Sequence, residues 1–263
     1  MANPLLNEAS FKRSGTTLPP PDIATRVDAP AIAITKTGVM TVNGTIMATF
    51  GMLALLLAGG YVGWRQVTVD ANNQINKFPS WTIALVLVGF VSVMVASFKP
   101  KLAPILGPVY AVLEGVAVGA ISHAYETWQK GIVLAAVGAT LGVFAVMLLL
   151  YRFRIIRVTQ RLRSVVMGAT LGIAAFYLVA MLLHAFGTNI SIINSPSGLG
   201  IGFSVLVAGL AAFNLLLDFD FIERGAKSGA PGYMNWFGAL GLTVTLVWLY
   251  LELLRLLSKL QQR

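Results

Sequence analysis

Residues 199–217 read LGIGFSVLVAGLAAFNLLL, nineteen consecutive residues without a charge, and the run ends on Asp218. At 1.5 Å per residue a helix of that length is roughly 28 Å long, close to the hydrocarbon thickness of a bilayer. In lipid, every backbone polar group has to be bonded within the protein, so a run like this reads as a transmembrane helix. It belongs to a segment at 199–221, and six more apolar segments lie at 40–64, 81–98, 102–124, 131–151, 165–186 and 236–257. None alternates in the way a membrane β-barrel strand of about ten residues would. The sequence therefore predicts an all-α integral membrane protein. Its seven-transmembrane-helix bundle covers 39–263, and a flexible polar tail covers 1–38. In the tail, Pro19, Pro20 and Pro21 block a helix. No apolar run follows Lys12 and Arg13 closely, so the tail does not read as a secretory signal.

Composition agrees. Of 263 residues, 57% are hydrophobic and only 11% charged, with a mean hydropathy of +0.78. Soluble domains carry roughly 25% charged residues. The chain has no cysteine, which excludes disulfides and thiolate metal sites. Its two histidines, His123 and His184, fall in separate segments near predicted interfaces, so a histidine metal cluster is not expected. No cofactor is expected either. The net charge of +9 points to basic loops facing anionic lipid rather than to nucleic acid, because no basic patch is interleaved with aromatics.

The basic residues also predict topology. With the N-terminus inside, 13 Lys and Arg fall on the inner side and 6 on the outer, and the segment 152–163 is the strongest single indicator. The positive-inside rule then places the N-terminus in the cytoplasm and the C-terminus outside. Arg255, Lys259 and Arg263, near the C-terminus, count against that last step. Trp64, Trp81, Trp128 and Trp236 lie at predicted helix ends, where amphipathic rings suit the interface. GATLG occurs at 138–142 and again at 168–172, and EGVAVG at 114–119. Small residues four apart predict helix faces that pack closely.

Ionisable groups inside a span cost about 2.5–3.5 kcal/mol on insertion scales, so each one raises a functional question. The candidates are Glu114, Asp218, Asp220, Glu252 and Arg255. Asp218 and Asp220 lie about 200° apart around a helix and face opposite ways. Asp220 has Arg224 four residues on, a good ion-pair spacing, with Glu223 on the same side. Asp218 has no such partner, but Asn214 lies one turn before it, which predicts a polar stripe facing the bundle. Glu252 has two readings. It pairs locally with Arg255, or it faces Asp218 across the bundle, where two carboxyls in a dry site would share a proton and titrate together. Glu114 sits mid-helix, one turn after Tyr110, with either a structural hydrogen bond or a place on an ion path.

Two motifs bring a resemblance. LLLDFDFIERG at 215–225, followed by a helix ending LYLELLRLL, resembles the Bax inhibitor-1 or transmembrane Bax-inhibitor-motif family. YAVLEGVAVGAIS in the third segment looks like its bacterial branch, and the likeness runs from about residue 40 to the end. The resemblance implies a seven-helix bundle whose last helix is central, and a calcium leak opened by acidification. It also implies a pH-sensing pair: Asp218 matches the family's acid at the end of the sixth helix, and Glu252 the acid of an LYLD-like motif in the seventh. Three departures stand out. Glu252 replaces Asp, Asp220 stands where Gln is common, and the basic partner at the inner end of the second helix is matched only by Lys99 or Lys101. Lysine has no planar fork for a bidentate lock.

The leading expectation is a pH-sensitive cation leak in the lipid bilayer, with calcium and protons as its ions and a transient calcium contact at Asp218 and Glu252. The alternative is a regulatory protein that binds other membrane proteins, such as a protease, through the tail and the segment 152–163. A third reading, a proton-coupled small-solute transporter, has Pro104 and Pro108 as its only hint of a broken span. No HExxH, GxSxG or Walker motif is present, and Ser204 in GIGFS has no histidine near it in sequence, so an enzyme is not expected.

Overall fold

The computed structural model describes residues 38–70, 75–186 and 195–262. Apart from Gly38, the expected tail lies outside them. Seven helices follow in order: α1 (Val42–Gln66), α2 (Thr82–Phe98), α3 (Ala103–Trp128), α4 (Ile132–Arg152), α5 (Gln160–Ala185), α6 (Gly198–Lys227) and α7 (Met234–Gln261). A two-stranded antiparallel ribbon, β1 (Thr68–Val69) with β2 (Ile75–Lys77), joins α1 to α2. A 3₁₀ turn, Pro100–Leu102, joins α2 to α3.

Six helices are long and apolar enough to cross a bilayer. At 17 residues α2 is the short one, about 26 Å long. It crosses nonetheless, because α1 and α3 run in the same direction. Met52 of α1 meets Gly107 of α3, and Gly60 further along meets Gly119. The chain must return between them, and α2 is that return.

Local chemistry sets the helix ends. Thr41 caps α1 by accepting from the Gly44 N–H at 2.9 Å, and Ser197 caps α6 by accepting from Gly200 at 3.2 Å. The Asn235 Oδ1 accepts from the Thr41 N–H at 2.9 Å, which ties the start of α1 to the start of α7. Gly229, at φ +67, makes the turn from α6 to α7 that a residue with a Cβ resists. The charged end of α6 continues to Lys227, past the expected 221. Asp220 pairs with Arg224 and Glu223 with Lys227 there, four residues apart, so the last turns carry their own support.

Burial separates the helices. In their most apolar windows α3 and α7 are each 56% buried, and α5 only 11%. α7 packs against α1, α3, α4 and α6, and reaches α5 through Tyr177, so it is the central helix. Leu57, Phe90, Leu134 and Leu171 point outward from the outer helices. An outer surface that apolar suits lipid, since a soluble protein rarely exposes so much of it in one band. The molecule is an all-α membrane bundle.

The small-residue motifs behave differently from one another. Gly115 and Gly119 of EGVAVG lie against the α1 backbone at Leu56 and Gly60, and Gly59 and Gly63 of α1 return the contact at Val112 and Val116. This is the close approach that small residues allow. The GATLG glycines Gly138, Gly142, Gly168 and Gly172 have nothing within 4 Å of where a Cβ would stand. The expected packing faces on α4 and α5 are therefore not used among the described residues. Pro104 lies in the first turn of α3, and Pro108 lies inside the helix, which runs unbroken to Trp128. The hint of a broken span is not realised among the described residues.

Candidate functional site

Most of the described basic side chains gather at one end of the bundle. Lys99, Lys101, the segment 152–163, Arg224 and Lys227 all sit where α2, α4 and α6 end. The other end, where α1, α3 and α7 finish, is called the opposite end below.

Glu252 sits on α7 toward that opposite end and is only 1% exposed. Its Oε2 accepts from Arg255 Nη1 at 2.7 Å and from the Tyr177 hydroxyl of α5 at 3.0 Å. The same Arg255 nitrogen donates to the Tyr177 oxygen at 2.7 Å, and the guanidinium lies 5.3 Å from the centre of the Tyr177 ring. Three groups thus close a small ring of hydrogen bonds that fastens α7 to α5. Its one loose end is Glu252 Oε1, buried without a partner. Of the two readings of Glu252, the structure realises the local pair with Arg255.

One turn beyond Arg255 lies Lys259, 2% exposed. Its ammonium donates to the Gly200 carbonyl at 2.9 Å and to Ser204 Oγ at 2.8 Å, both on α6. Among the described residues it has no ion pair. Sequence reasoning treated it as a loop charge and looked for a histidine beside Ser204. The available signal was spacing: Lys259 falls seven residues after Glu252 and so on the same face of α7.

Asp218 lies on α6, nearer the basic end. Its Oδ1 would stand 3.6 Å from a Cβ on Gly241 of α7, and its Oδ2 is buried without a hydrogen-bond partner. Thr245 stands beside the carboxyl, while its own hydroxyl donates to the Gly241 carbonyl at 3.1 Å. Asn214, one turn away, turns to α5 instead and donates to Thr170 Oγ1 at 2.8 Å. The predicted stripe is therefore split between two neighbouring helices.

The expected carboxyl pair is not formed. Thr245 marks the level of Asp218 on α7, and Glu252 lies seven residues further on, about 10 Å along the axis. One calcium ion, with oxygen ligands at about 2.3–2.6 Å, cannot bridge that gap. No group of three or more metal-ligating side chains occurs among the described residues. The predicted lysine partner is not seen either: Lys99 and Lys101 are exposed at the basic end and make no ion pair among the described residues. Glu252 finds its cation on its own helix, and Asp218 makes no ion pair among the described residues.

Asp220 behaves as its spacing predicts. It pairs with Arg224, and also with Arg163 of α5 at 2.7 Å, a partner that could not be seen from local sequence. Glu114 is buried on α3, with its Oε2 3.0 Å from where a Cβ on Gly89 of α2 would lie. His123 is held by its neighbours: its ring stacks on Trp64 at 4.6 Å, and Nδ1 lies 2.7 Å from the Trp64 carbonyl. The side chain of His184 lies outside the described residues.

Chemically, the central helix carries two levels of buried acid. At one level a carboxylate is locked by a guanidinium and a phenol. At the other, a carboxyl lies against the helix backbone with an oxygen unused. Against known families, the Bax inhibitor 1 like family model matches residues 3–262, nearly the whole chain. No curated protein and no solved structure matches it.

Proposed function

Because the chain belongs to the Bax inhibitor 1 like family, we propose that it is a pH-sensitive cation leak for calcium, closed by the Glu252 lock and opened when that acid takes up a proton. The observation that carries this reading is the Glu252–Tyr177–Arg255 ring on the central helix. Ionised, Glu252 holds Arg255 by a charge-assisted bond, roughly twice as strong as a neutral one. A proton placed on that carboxylate removes its charge and leaves the guanidinium charged, since arginine is not deprotonated in proteins. The pair is then broken, and a buried cation is left without its anion, a costly state. Moving this end of α7 lets Arg255 reach water. The sign follows: closed as pH rises, open as it falls.

The two acids act at separate levels rather than as one pair. Glu252 is the latch. Asp218 on α6 and Glu114 on α3 offer hard carboxylate oxygens to a calcium ion in transit. The basic end faces the cytoplasm of a bacterial cell by the positive-inside rule.

The test is calcium entry into proteoliposomes loaded with an indicator, at mildly alkaline and mildly acidic pH. Wild-type flux rises on acidification. Glu252→Gln, which cannot hold the ion pair, leaks at both pH values. Asp218→Asn conducts less calcium while keeping the pH response. A wild-type flux that ignores pH ends the proposal.

A further inference from the structure

A cleft of about 1030 Å³ opens between α1 and α4 at the basic end, floored by α6 and α7. Its walls are apolar: Ile46, Phe50 and Leu53 on α1 face Leu141, Phe144 and Leu148 on α4. Phe50 and Leu141 are more than 60% exposed, so no helix among the described residues covers them. The mouth is different. Arg152, Arg154, Arg157, Arg224 and Lys227 line it, against two acids, Asp220 and Glu223. Both acids are already engaged, Asp220 by Arg163 and Arg224, and Glu223 by Lys227 and the Tyr151 hydroxyl. Arg152 and Arg157 make no ion pair or hydrogen bond among the described residues. Arg154 is held at the mouth by a backbone at φ +56, a conformation that disfavours a side chain.

We propose that this cleft binds one anionic phospholipid, its acyl chain between α1 and α4 and its phosphate on the arginines at the mouth. Depth supports the fit. From Arg152 to Leu141 is eleven residues of helix, roughly 16 Å, about half of a bilayer's hydrocarbon core and so one leaflet. Charge supports it too, because arginine's planar fork pairs with phosphate oxygens bidentately, and basic pockets between transmembrane helices hold anionic headgroups. The chain's own residues 1–37 are a poorer occupant. They carry four basic and three acidic residues, a balance that does not complement a positive mouth.

The experiment is native mass spectrometry of the full-length protein, released from nanodiscs of phosphatidylcholine with or without phosphatidylglycerol. Wild type is expected to retain one phosphatidylglycerol and no phosphatidylcholine. The R152Q/R154Q/R157Q variant, altered only at exposed positions, weakens retention at least about tenfold. Leu53→Trp, which fills the cleft and leaves the arginines, does the same. Arg65→Gln/Lys130→Gln, at the opposite end, retains lipid like wild type. Equal retention of phosphatidylcholine overturns the proposal by making the lipid merely annular. Displacement by inorganic phosphate overturns it by removing the acyl chain, and displacement by a peptide of residues 1–37 by naming another occupant.

Discussion

Glu252 is held by two donors, and the two are not equivalent. Truncating Arg255 to Ala leaves a buried carboxylate facing only a phenol, the situation in which breaking a buried ion pair costs about 3–5 kcal/mol. Tyr177→Phe removes the hydrogen bond the phenol donates to Glu252 and the one it accepts from Arg255, but leaves the ion pair standing, so neither charge is orphaned. Thermal unfolding in detergent should therefore rank wild type above Tyr177→Phe, and Tyr177→Phe above Arg255→Ala. The reverse order would mean that the phenol, not the ion pair, holds the helix. Part of this site was legible in the sequence, because Glu252 with Arg255 and Asp220 with Arg224 are neighbours on one helix at spacings of three and four. Tyr177, Arg163 and Ser204 were not legible as partners. Each comes from another helix, 75, 57 and 55 residues from the group it touches, and helical periodicity says nothing about that rotation.

At the scale of the helices, one glycine motif is structural and its near copy is not. Gly119→Leu forces a side chain into the Gly60 backbone, which cannot give way as a flexible side chain would. Overpacking of this kind costs about 1–3 kcal/mol, and more where backbone is struck. At Gly142 a Cβ has nothing within 4 Å among the described residues, so Gly142→Leu should change stability by less than about 0.5 kcal/mol. Melting of the two purified variants separates them, and equal losses would mean that α4 packs against something beyond this chain. The apolar blocks placed every helix within a few residues, since length and the absence of charge follow directly from bilayer thickness. The ends drifted where charged residues support the helix in water: α5 begins at Gln160 rather than 165, and α6 runs on to Lys227. EGVAVG and GATLG could not be told apart in advance, because a glycine facing a helix and a glycine facing outward are written with the same letter.

For the whole molecule, the basic residues make a sharper case than a bare count allows. Arg255 and Lys259, which weighed against an outside C-terminus, are internal partners of Glu252, Gly200 and Ser204 rather than loop charges. The proposed orientation, with the basic end cytoplasmic, then rests on the remaining described basic residues. The chain has no cysteine, so single substitutions report cleanly. In intact cells a membrane-impermeant maleimide should label Lys130→Cys and leave Arg157→Cys untouched until the membrane is opened; the opposite pattern inverts the bundle. The central claim is that acid frees α7 from α5. The direct measurement is the distance between spin labels at Leu182→Cys on α5 and Leu260→Cys on α7, taken across the pH range in nanodiscs. The account predicts one short, narrow distance at alkaline pH that lengthens by several ångströms on acidification, and the longer distance at every pH in Glu252→Gln. A distance that stays the same from alkaline to acidic pH would contradict it.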